Sequence, residues 1–253
     1  MLNFYRFNHF RKYPSILHAV SQKSSELPYE FSLALHTGEN TQDIIKNRHI
    51  LAKELNSKTP LDYIIAQQTH GSHIENITNK ETRGWQSEKN TIKDCDALIT
   101  NIKGLALCIL TADCVPILLY DKKQKAIAAI HAGWKGTKSR IVTKTIQKMQ
   151  MHYASNPKDI IVGIGPSIGA CCYEVDKNVA KYFFDIPKSI KPLKEKYLLD
   201  LALANKEQLL HAGILETNIE MSHICTACKV ERFFSYRQEK KCTGRFMSII
   251  ALT

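Results

Sequence analysis

Four short aliphatic runs follow one another through the middle of the chain, and no other feature restricts the possible folds as strongly. They read DALIT, LALCIL, VPILLY and KAIAAIH and lie between residues 96 and 131. Short runs of β-branched and aliphatic residues separated by turn residues are typical of strands. Only Asp121–Gln124 separates the last two runs, a spacing that predicts a hairpin. The sequence therefore predicts a strand-rich centre with little exposed surface.

Helical patterns and further strand-like runs alternate on both sides of this centre. We expect helices over 41–56, 137–153, 176–184 and 201–213. Thr41 is a possible N-cap of the first, Thr137 or Ser139 lies near the start of the second, and Gly213 ends the last. We expect further strands over 30–35 (EFSLAL), 61–66, 159–165 and 245–252. Hairpins mixed with helices favour an α+β fold with mixed sheets over a doubly wound parallel sheet. Because no linker or repeat interrupts the pattern, we predict a single compact domain over residues 1–253.

Composition excludes some functional classes. The net charge is +11, but the lysines are spread along the chain and form no basic run, so we expect no nucleic-acid partner. No stretch reaches the ~18 apolar residues of a membrane helix, and the first residues lack the apolar core of a secretory signal. We therefore expect a cytoplasmic protein without a membrane partner. In that compartment the eight cysteines would be core residues, metal ligands or nucleophiles, not a disulfide framework.

Cys114 and His131 lie at polar ends of neighbouring apolar runs. If those runs pair as a hairpin, the thiol and the imidazole would come close together. His70, in the loop QQTHGSH at the end of another apolar run, is a third candidate, and Gly71 beside it allows a close backbone approach. Two histidines and one cysteine form a reasonable zinc site with a fourth position open for water or substrate. Asp113, next to Cys114, could orient a ligand or transfer a proton.

The residues alone leave other interpretations open. Cysteine is among the most buried residue types, so Cys114 could be a core residue, and a histidine at a strand end could be a structural one. A metal-free nucleophile–base pair of Cys114 and His131 fits the spacing almost as well. The motif Cys225–Cys228 (CTAC), with His223 and Cys242 nearby, is a weaker possible metal cluster. We expect these cysteines, and the adjacent Cys171 and Cys172, to be buried or free thiols.

Several motifs occur together in an order that resembles the laccase-domain, or polyphenol-oxidase-like, family. They are FSLALHTGEN, QTHG, DCDALITN, TADCVPILLYD, IAAIHAGWKGT, GPSIGACCYEV and FFSYRQEKKCTGR, with Asn47–Arg48 between the first two. The resemblance runs from about Phe31 to the C-terminus. It implies a compact α+β domain with a central β-sandwich and flanking helices. The chain departs from the family pattern at Gln238, which replaces the second arginine of the usual S-Y-R-R run.

The resemblance also implies a site and an activity. The family's metal ligands match His70, Cys114 and His131, and the metal is usually described as zinc, with copper the less expected alternative. Members are described as purine nucleoside phosphorylases that also cleave methylthioadenosine and deaminate adenosine, so the expected partners are purine nucleosides and phosphate. We expect catalytic roles for Cys114 and Asp113. We expect substrate contacts from Gln68 and from three arginines, Arg48, Arg237 and Arg245, because guanidinium groups bind phosphate well.

Three other functions remain open at this stage. One is hydrolysis of a peptidoglycan-precursor amide, with Cys114 as nucleophile or with zinc. Another is copper-dependent oxidation of phenols, which usually needs several copper ions and a histidine-rich ligand set. The third is a zinc-stabilised interaction module without catalysis.

Overall fold

The computed structural model describes residues 2–240 and 244–253, so Cys242 lies outside the described residues. The strands are β1 (Phe4–Tyr5), β2 (Ile16–Ser21), β3 (Asp62–Ile65), β4 (Ile74–Asn76), β5 (Ala97–Thr100), β6 (Leu105–Thr111), β7 (Val115–Asp121), β8 (Ala126–Ala132), β9 (Ile160–Ile164), β10 (Glu174–Val175), β11 (Ile190–Leu193), β12 (Lys196–Leu199), β13 (Ile219–Met221) and β14 (Phe246–Leu252). The α-helices are α1 (Asn8–Arg11), α2 (Thr41–Leu55), α3 (Trp134–Lys138), α4 (Ile141–Tyr153), α5 (Lys177–Ala180) and α6 (Leu201–His211).

Two large mixed sheets and one small sheet contain these strands. The first large sheet has the order β1-β2-β14-β6-β3, and the second has the order β13-β9-β7-β8-β5-β4. The small sheet is β10-β12-β11. Within the large sheets β3 pairs with β6, β4 with β5 and β13 with β9 in parallel, whereas the other pairs are antiparallel. This mixture agrees with the predicted α+β class.

The two large sheets pack face to face and form a sandwich. One hydrophobic cluster contains Leu107 and Ile109 of the first sheet together with Leu118 and Ile127 of the second. Their neighbours along the strands point the other way: Cys108 of β6 packs in the cluster that also contains Leu51 of α2. Both faces of each central strand are therefore covered, which explains why these strands are apolar without interruption.

Helices cover the outer faces of the sandwich. α2 packs on the first sheet, and α4 and α6 pack on the second, where Ile146 and Leu209 join the cluster of Ile117 and Ile130. The molecule thus has four layers, helix, sheet, sheet and helix, which confirms the central β-sandwich with flanking helices. Among the described residues, no helix has the length and the apolar content that a membrane crossing requires.

The prediction of a strand over residues 30–35 is wrong. This segment contains the end of the short turn Pro28–Phe31, in which Tyr29, Glu30 and Phe31 have positive φ, and then residues 32–35, which join neither large sheet. Side chains of α2 bind its carbonyl groups: Asn47 donates to Ser32, and Arg48 donates to Leu33. Because these acceptors are already satisfied, the segment does not need a strand partner.

Two helix boundaries also differ from the prediction. Asn40, not Thr41, caps α2, because its side chain accepts hydrogen bonds from the backbone N–H groups of Gln42 and Asp43. The helix predicted over 137–153 is divided into α3 and α4 at Arg140, whose φ of 57° is left-handed. A residue in that conformation cannot continue a right-handed helix.

Candidate metal centre

The predicted hairpin is present and brings Cys114 and His131 to the same end of the second sheet. β7 and β8 pair antiparallel, with Val115 opposite Ala132 and Pro116 opposite His131. Cys114 precedes β7 and therefore lies opposite Gly133. Asp121 stabilises the turn at the other end, because its carboxylate accepts hydrogen bonds from the backbone N–H groups of Lys123 and Gln124.

His70 reaches the same place through a turn fixed by one buried carboxylate. Asp96 accepts hydrogen bonds from the backbone N–H groups of His70 (3.0 Å) and Gly71 (2.7 Å), and from that of Thr69 (3.3 Å). His70 has a φ of 61°, a conformation uncommon for a residue other than glycine. The hydrogen bonds to Asp96 hold the turn in this conformation and direct the imidazole toward the hairpin.

Asp96 also orients His131. The backbone N–H of His131 donates to the carbonyl of Asp96 at 2.7 Å, and Nδ1 of His131 lies 2.7 Å from Oδ1 of Asp96. With Nδ1 occupied in this way, Nε2 is the ring nitrogen left for a metal. A carboxylate behind a ligating histidine is a common arrangement in metal sites.

One ligand atom from each of His70, Cys114 and His131 lies within 4.8 Å of the others. The rings of the two histidines are edge to face, with centroids 4.7 Å apart. Two imidazoles and a thiol suit zinc, and three protein ligands leave a fourth position for a water or a substrate. The donor set and its arrangement therefore fit the metal that the resemblance implies.

Gly133 makes room for this arrangement. A Cβ atom at this position would lie 3.0 Å from Sγ of Cys114 and 3.0 Å from Cδ2 of His70. A larger residue would contact two of the three ligands closely enough that they would have to shift by a few tenths of an ångström. Glycine at this position therefore allows the two ligands to approach without a shift of a few tenths of an ångström.

The charged groups around Cys114 favour its thiolate form. Burial alone would raise the pKa of Cys114, but the adjacent His131 and His70 outweigh this effect and lower it. Burial would lower the pKa of His131, but the attraction of Cys114 and the hydrogen bond to Asp96 raise it. Burial likewise disfavours ionised Asp96, yet the hydrogen bonds from His131, Gly71 and Thr69 lower its pKa. Zinc binds cysteine as thiolate, so this environment prepares Cys114 for a metal.

The three ligands line a cavity of about 510 Å³. Volumes of this size are typical of small-molecule sites. The cavity combines aromatic and basic side chains, which are Trp134, Tyr173, Tyr236, His36, Arg237 and Arg245. Its walls therefore offer flat apolar surfaces and positive charge beside the candidate metal position.

Gln68 and Asp113 also line the cavity, but their polar atoms are occupied. Gln68 forms two hydrogen bonds with the backbone of Leu110, donating at 2.7 Å and accepting at 2.8 Å. Asp113 accepts from Oγ1 of Thr226 and from the backbone N–H of Arg237, both at 2.7 Å. Asp113 adopts a φ of 87°, directly before the ligand Cys114. Through these contacts Gln68 and Asp113 shape the cavity, while the substrate contact expected of Gln68 and the catalytic role expected of Asp113 stay predictions.

Two of the three predicted arginines reach the cavity. Arg237 donates to the carbonyl of Glu174 at 3.1 Å and lies over the ring of Tyr173, 5.2 Å from its centroid. Arg245 lies over the ring of Tyr236 at 5.8 Å. Both guanidinium groups are therefore held against aromatic rings beside the cavity.

The structure does not bring Arg48 to this cavity. Its side chain is 1% exposed, and the guanidinium donates to the carbonyls of Leu33, Gly84 and Trp85. It thus connects α2 to two loops from inside the protein. These contacts give Arg48 a structural role, and the substrate contact expected from the sequence stays a prediction.

Besides the aromatic residues of the cavity wall, sequence reasoning missed an aspartate and a histidine of this site. Asp96 stands in the motif DCDALITN, which carried part of the family resemblance, but nothing in its spacing marked it as the partner of His131. His36, in FSLALHTGEN, lines the cavity. Burial and the nearby Arg245 lower its pKa, so neutral His36 is favoured. Both residues lie inside motifs that carried the family resemblance, but the motifs did not indicate what either residue does.

The chain is similar to known proteins over most of its length. The family model described as multi-copper polyphenol oxidoreductase laccase matches residues 18–253. The chain is 33% identical over 240 residues to purine nucleoside phosphorylase YlmD of Bacillus subtilis, covering 92% of this chain and 84% of the relative. It is 30% identical over 221 residues to adenosine deaminase RL5 of an unknown prokaryotic organism, covering 85% of this chain and 84% of the relative. The crystal structure of the hypothetical protein YfiH from Bacillus licheniformis has a TM-score of 0.89 at 34% identity, with 96% of this chain and 94% of that chain covered.

Proposed function

Since the chain belongs to the multi-copper polyphenol oxidoreductase laccase family, we propose that it is a zinc-dependent purine nucleoside phosphorylase, which also deaminates adenosine. Relatives that share most of its length carry these two activities in their names. The observation that carries the proposal is the position of His70, Cys114 and His131 in a cavity also lined by aromatic and arginine side chains.

The donor sets favour zinc over the multi-copper chemistry in the family's name. Among residues 2–240 and 244–253, two groups of three or more ligand side chains come together: His70 with Cys114 and His131, and a group of four cysteines. Copper oxidases usually need several ions held mainly by histidine, and these groups contain two histidines between them. Zinc bound in the first group would supply a positive charge that polarises an oxygen of phosphate or ribose.

Phosphorolysis requires the cavity to hold an anion against a nucleoside. A phosphate oxygen forms a bond to the anomeric carbon of the ribose while the bond to the purine nitrogen breaks. The electron pair leaves with the purine, which takes up a proton, and the products are ribose 1-phosphate and the free base. Arg237 and Arg245 provide charge for the phosphate, and the guanidinium of each is oriented by a neighbouring ring.

The purine needs flat apolar surfaces. Tyr173 and Tyr236 line the same cavity and carry the two arginines on their faces. Stacking of a base between aromatic groups and guanidinium planes is common in nucleotide recognition. The base and the phosphate would therefore bind to adjacent parts of one wall.

The direct test is an assay of purified protein with inosine and phosphate. Zinc-loaded protein should release hypoxanthine, and Cys114→Ala should release none. Lys135→Ala, which changes an exposed residue next to Trp134, serves as the control and should keep full activity. Absence of hypoxanthine from zinc-loaded protein, under conditions in which a control phosphorylase works, would overturn the proposal. Adenosine in the same assay, without phosphate, tests the deaminase activity through formation of inosine.

A second candidate is an amide hydrolase of the cysteine type acting on a peptidoglycan precursor. The observation that favours it is the lowered pKa of Cys114 beside His131, because a thiolate next to an imidazole is the arrangement of a nucleophile and its base. Zinc distinguishes the two candidates. Amide hydrolysis that survives complete zinc removal would favour the thiol nucleophile.

A further inference from the structure

Four cysteine side chains converge at a second place, outside the cavity. One sulfur atom from each of Cys171, Cys172, Cys225 and Cys228 lies within 4.8 Å of the others. Sγ of Cys228 is 3.6 Å from that of Cys171 and 3.4 Å from that of Cys172. We propose that these four thiolates bind one zinc ion in a closed, structural site.

The separations fit a metal better than a disulfide. A disulfide joins two sulfurs at about 2.05 Å, whereas four sulfurs at about 2.3 Å from a tetrahedral zinc ion are about 3.8 Å apart. Cys171 and Cys172 are nearly equidistant from Cys228, so the arrangement does not select one pair. A single disulfide would leave two thiols of the group without a partner, and pairing all four would require two disulfides side by side. Zinc uses all four.

Two turns present the sulfurs to one another. Cys171 and Cys172 lie in a turn in which the N–H of Cys172 donates to the carbonyl of Gly169 at 3.0 Å. Cys225 and Cys228 form a C-x-x-C turn, which is the usual half of a structural zinc site. The sequence contained only one such pair, so the second pair of ligands became visible only when the two turns met.

Backbone hydrogen bonds hold the two turns side by side. The N–H of Ser167 donates to the carbonyl of Ile224, and the N–H of Thr226 donates to the carbonyl of Ser167. Gly169 lies between the turns and donates its N–H to Sγ of Cys225 at 3.2 Å. A Cβ at Gly169 would lie 3.3 Å from Cβ of Cys225 and 3.4 Å from Sγ of Cys171, so a larger residue would crowd the group. Backbone N–H donation to a sulfur favours its ionised, metal-binding form.

The site also supports the wall of the cavity. The N–H of Ile168 donates to the carbonyl of Asp113 at 2.9 Å, and Thr226 donates to the Asp113 carboxylate at 2.7 Å. Both residues belong to the segments that the cysteines join, and Tyr173, which follows Cys172, lines the cavity. A zinc ion at the four sulfurs therefore fixes both segments against Asp113, the residue before Cys114.

Neighbouring candidate ligands from the sequence do not join this group. His223 is not among the side chains whose ligand atoms converge, and Cys242 lies outside the described residues. The four cysteines are sufficient for a closed site, since structural zinc is usually bound by four protein ligands.

The test is the metal content of protein purified under reducing conditions, measured by native mass spectrometry. Cys225→Ser/Cys228→Ser should carry one zinc equivalent less than wild type and should melt at a lower temperature. Cys114→Ala should keep the zinc bound by the four cysteines. Cys108→Ala, which removes a buried thiol in the core of the first sheet, is the matched control and should bind as much zinc as wild type.

Cobalt loading supplies an independent measurement that does not require the double variant to fold. Cys114→Ala loaded with Co²⁺ should retain the strong near-ultraviolet sulfur-to-metal band of a site with four thiolates. Absence of that band, or of the retained zinc in Cys114→Ala, would overturn the proposal. Reversible loss of two hydrogens from the cysteine group in the intact mass, with no metal bound after reduction, would instead assign the group to a disulfide. Because metal content is measured without substrate, these outcomes are independent of the phosphorylase assay.

Discussion

Oδ1 of Asp96 lies 2.7 Å from Nδ1 of His131, and the backbone N–H of the same histidine donates to the carbonyl of Asp96. The two residues come from adjacent strands of the second sheet, because Asp96 directly precedes β5 and His131 is near the end of β8. The same carboxylate accepts from the backbone of the turn that carries His70. One buried acidic side chain therefore positions two of the three candidate metal ligands.

Replacement of this carboxylate should weaken metal binding. Asp96→Asn keeps the size of the side chain but removes its charge, so we expect zinc affinity to fall roughly 10- to 100-fold. Competition with a chromophoric chelator measures the change. Asp185→Asn, at an exposed ion pair with Arg140, is the control and should bind zinc as wild type does. An unchanged dissociation constant for Asp96→Asn would show that the hydrogen bond to His131 does not support the metal.

Gly133→Ala should damage the metal centre by contact alone. The new Cβ would press on Cys114 and His70 at 3.0 Å, and overpacking of about 1–3 kcal/mol, if it falls wholly on the metal-bound form, corresponds to roughly 5- to 150-fold weaker zinc binding. Competition with the chromophoric chelator measures the zinc affinity, and circular dichroism verifies that the fold is retained. Lys135→Ala, two residues further on, should have no effect. Full zinc affinity in Gly133→Ala would mean that the ligands can move aside.

Arg237→Gln should reduce the use of phosphate if the proposed activity is correct. The substitution keeps the backbone N–H that donates to Asp113 and removes only the guanidinium. Loss of a charge-assisted hydrogen bond, about 1.5–3 kcal/mol, lowers kcat/KM for phosphate roughly 10- to 100-fold. Steady-state kinetics with varied phosphate measures this. Arg140→Gln, at the surface, should retain the wild-type value, and an equal decrease in both variants would remove Arg237 from the phosphate site.

Arg48→Met should destabilise the fold without removing the metal. The substitution leaves the buried carbonyls of Leu33, Gly84 and Trp85 without their donor, so we expect a loss on the order of 3 kcal/mol in the free energy of unfolding. Urea denaturation measures it. Lys53→Met, on the exposed side of the same helix, is the control. A near-neutral effect on the free energy of unfolding, together with a lower kcat/KM for phosphate, would contradict the structural role and support a substrate contact of Arg48.

Stability should depend on the titration of His18. Burial, followed by the charges of Arg6 and Arg11, lowers the pKa of His18 to about 4, and its Nε2 accepts the backbone N–H of Phe7 at 2.9 Å. The unfolded chain binds this proton near pH 6.5. Between these values the unfolded state holds more protons, so stability rises with pH and is lost as the pH falls from 6.5 toward 4, by about 3 kcal/mol.

The measurement is the free energy of unfolding of wild type and His18→Gln from pH 7 to pH 4. The free energy of unfolding of wild type minus that of His18→Gln should decrease as the pH falls. The other titrating groups contribute equally to both proteins and cancel in this difference. His49→Gln, at an exposed position, should run parallel to wild type. A His18→Gln curve parallel to wild type would contradict the prediction.

The sequence by itself determined the central strands and the part of the site that they carry. β7 and β8 are joined by a turn of a few residues, so their pairing follows from local sequence, and the pairing brings Cys114 and His131 together. β6 and β7 are buried on both faces, which is why they could be recognised as unbroken apolar runs. His70 was only a candidate third ligand on its residues, and the family resemblance was needed to favour it, because the apolar pattern does not specify how a distant loop approaches the hairpin.

Only the tertiary structure decided the remaining relationships. Asp96 supports two ligands through contacts between separate segments. Arg48 is buried because its guanidinium donates to carbonyls of residues distant in sequence. Its hydrogen bond to Leu33 satisfies an acceptor of residues 30–35, which do not form the predicted strand. The four cysteines meet because hydrogen bonds hold two distant turns together. Periodicity reports which side of an element is buried, whereas hydrogen bonds and sulfur contacts between distant segments depend on the packed three-dimensional arrangement.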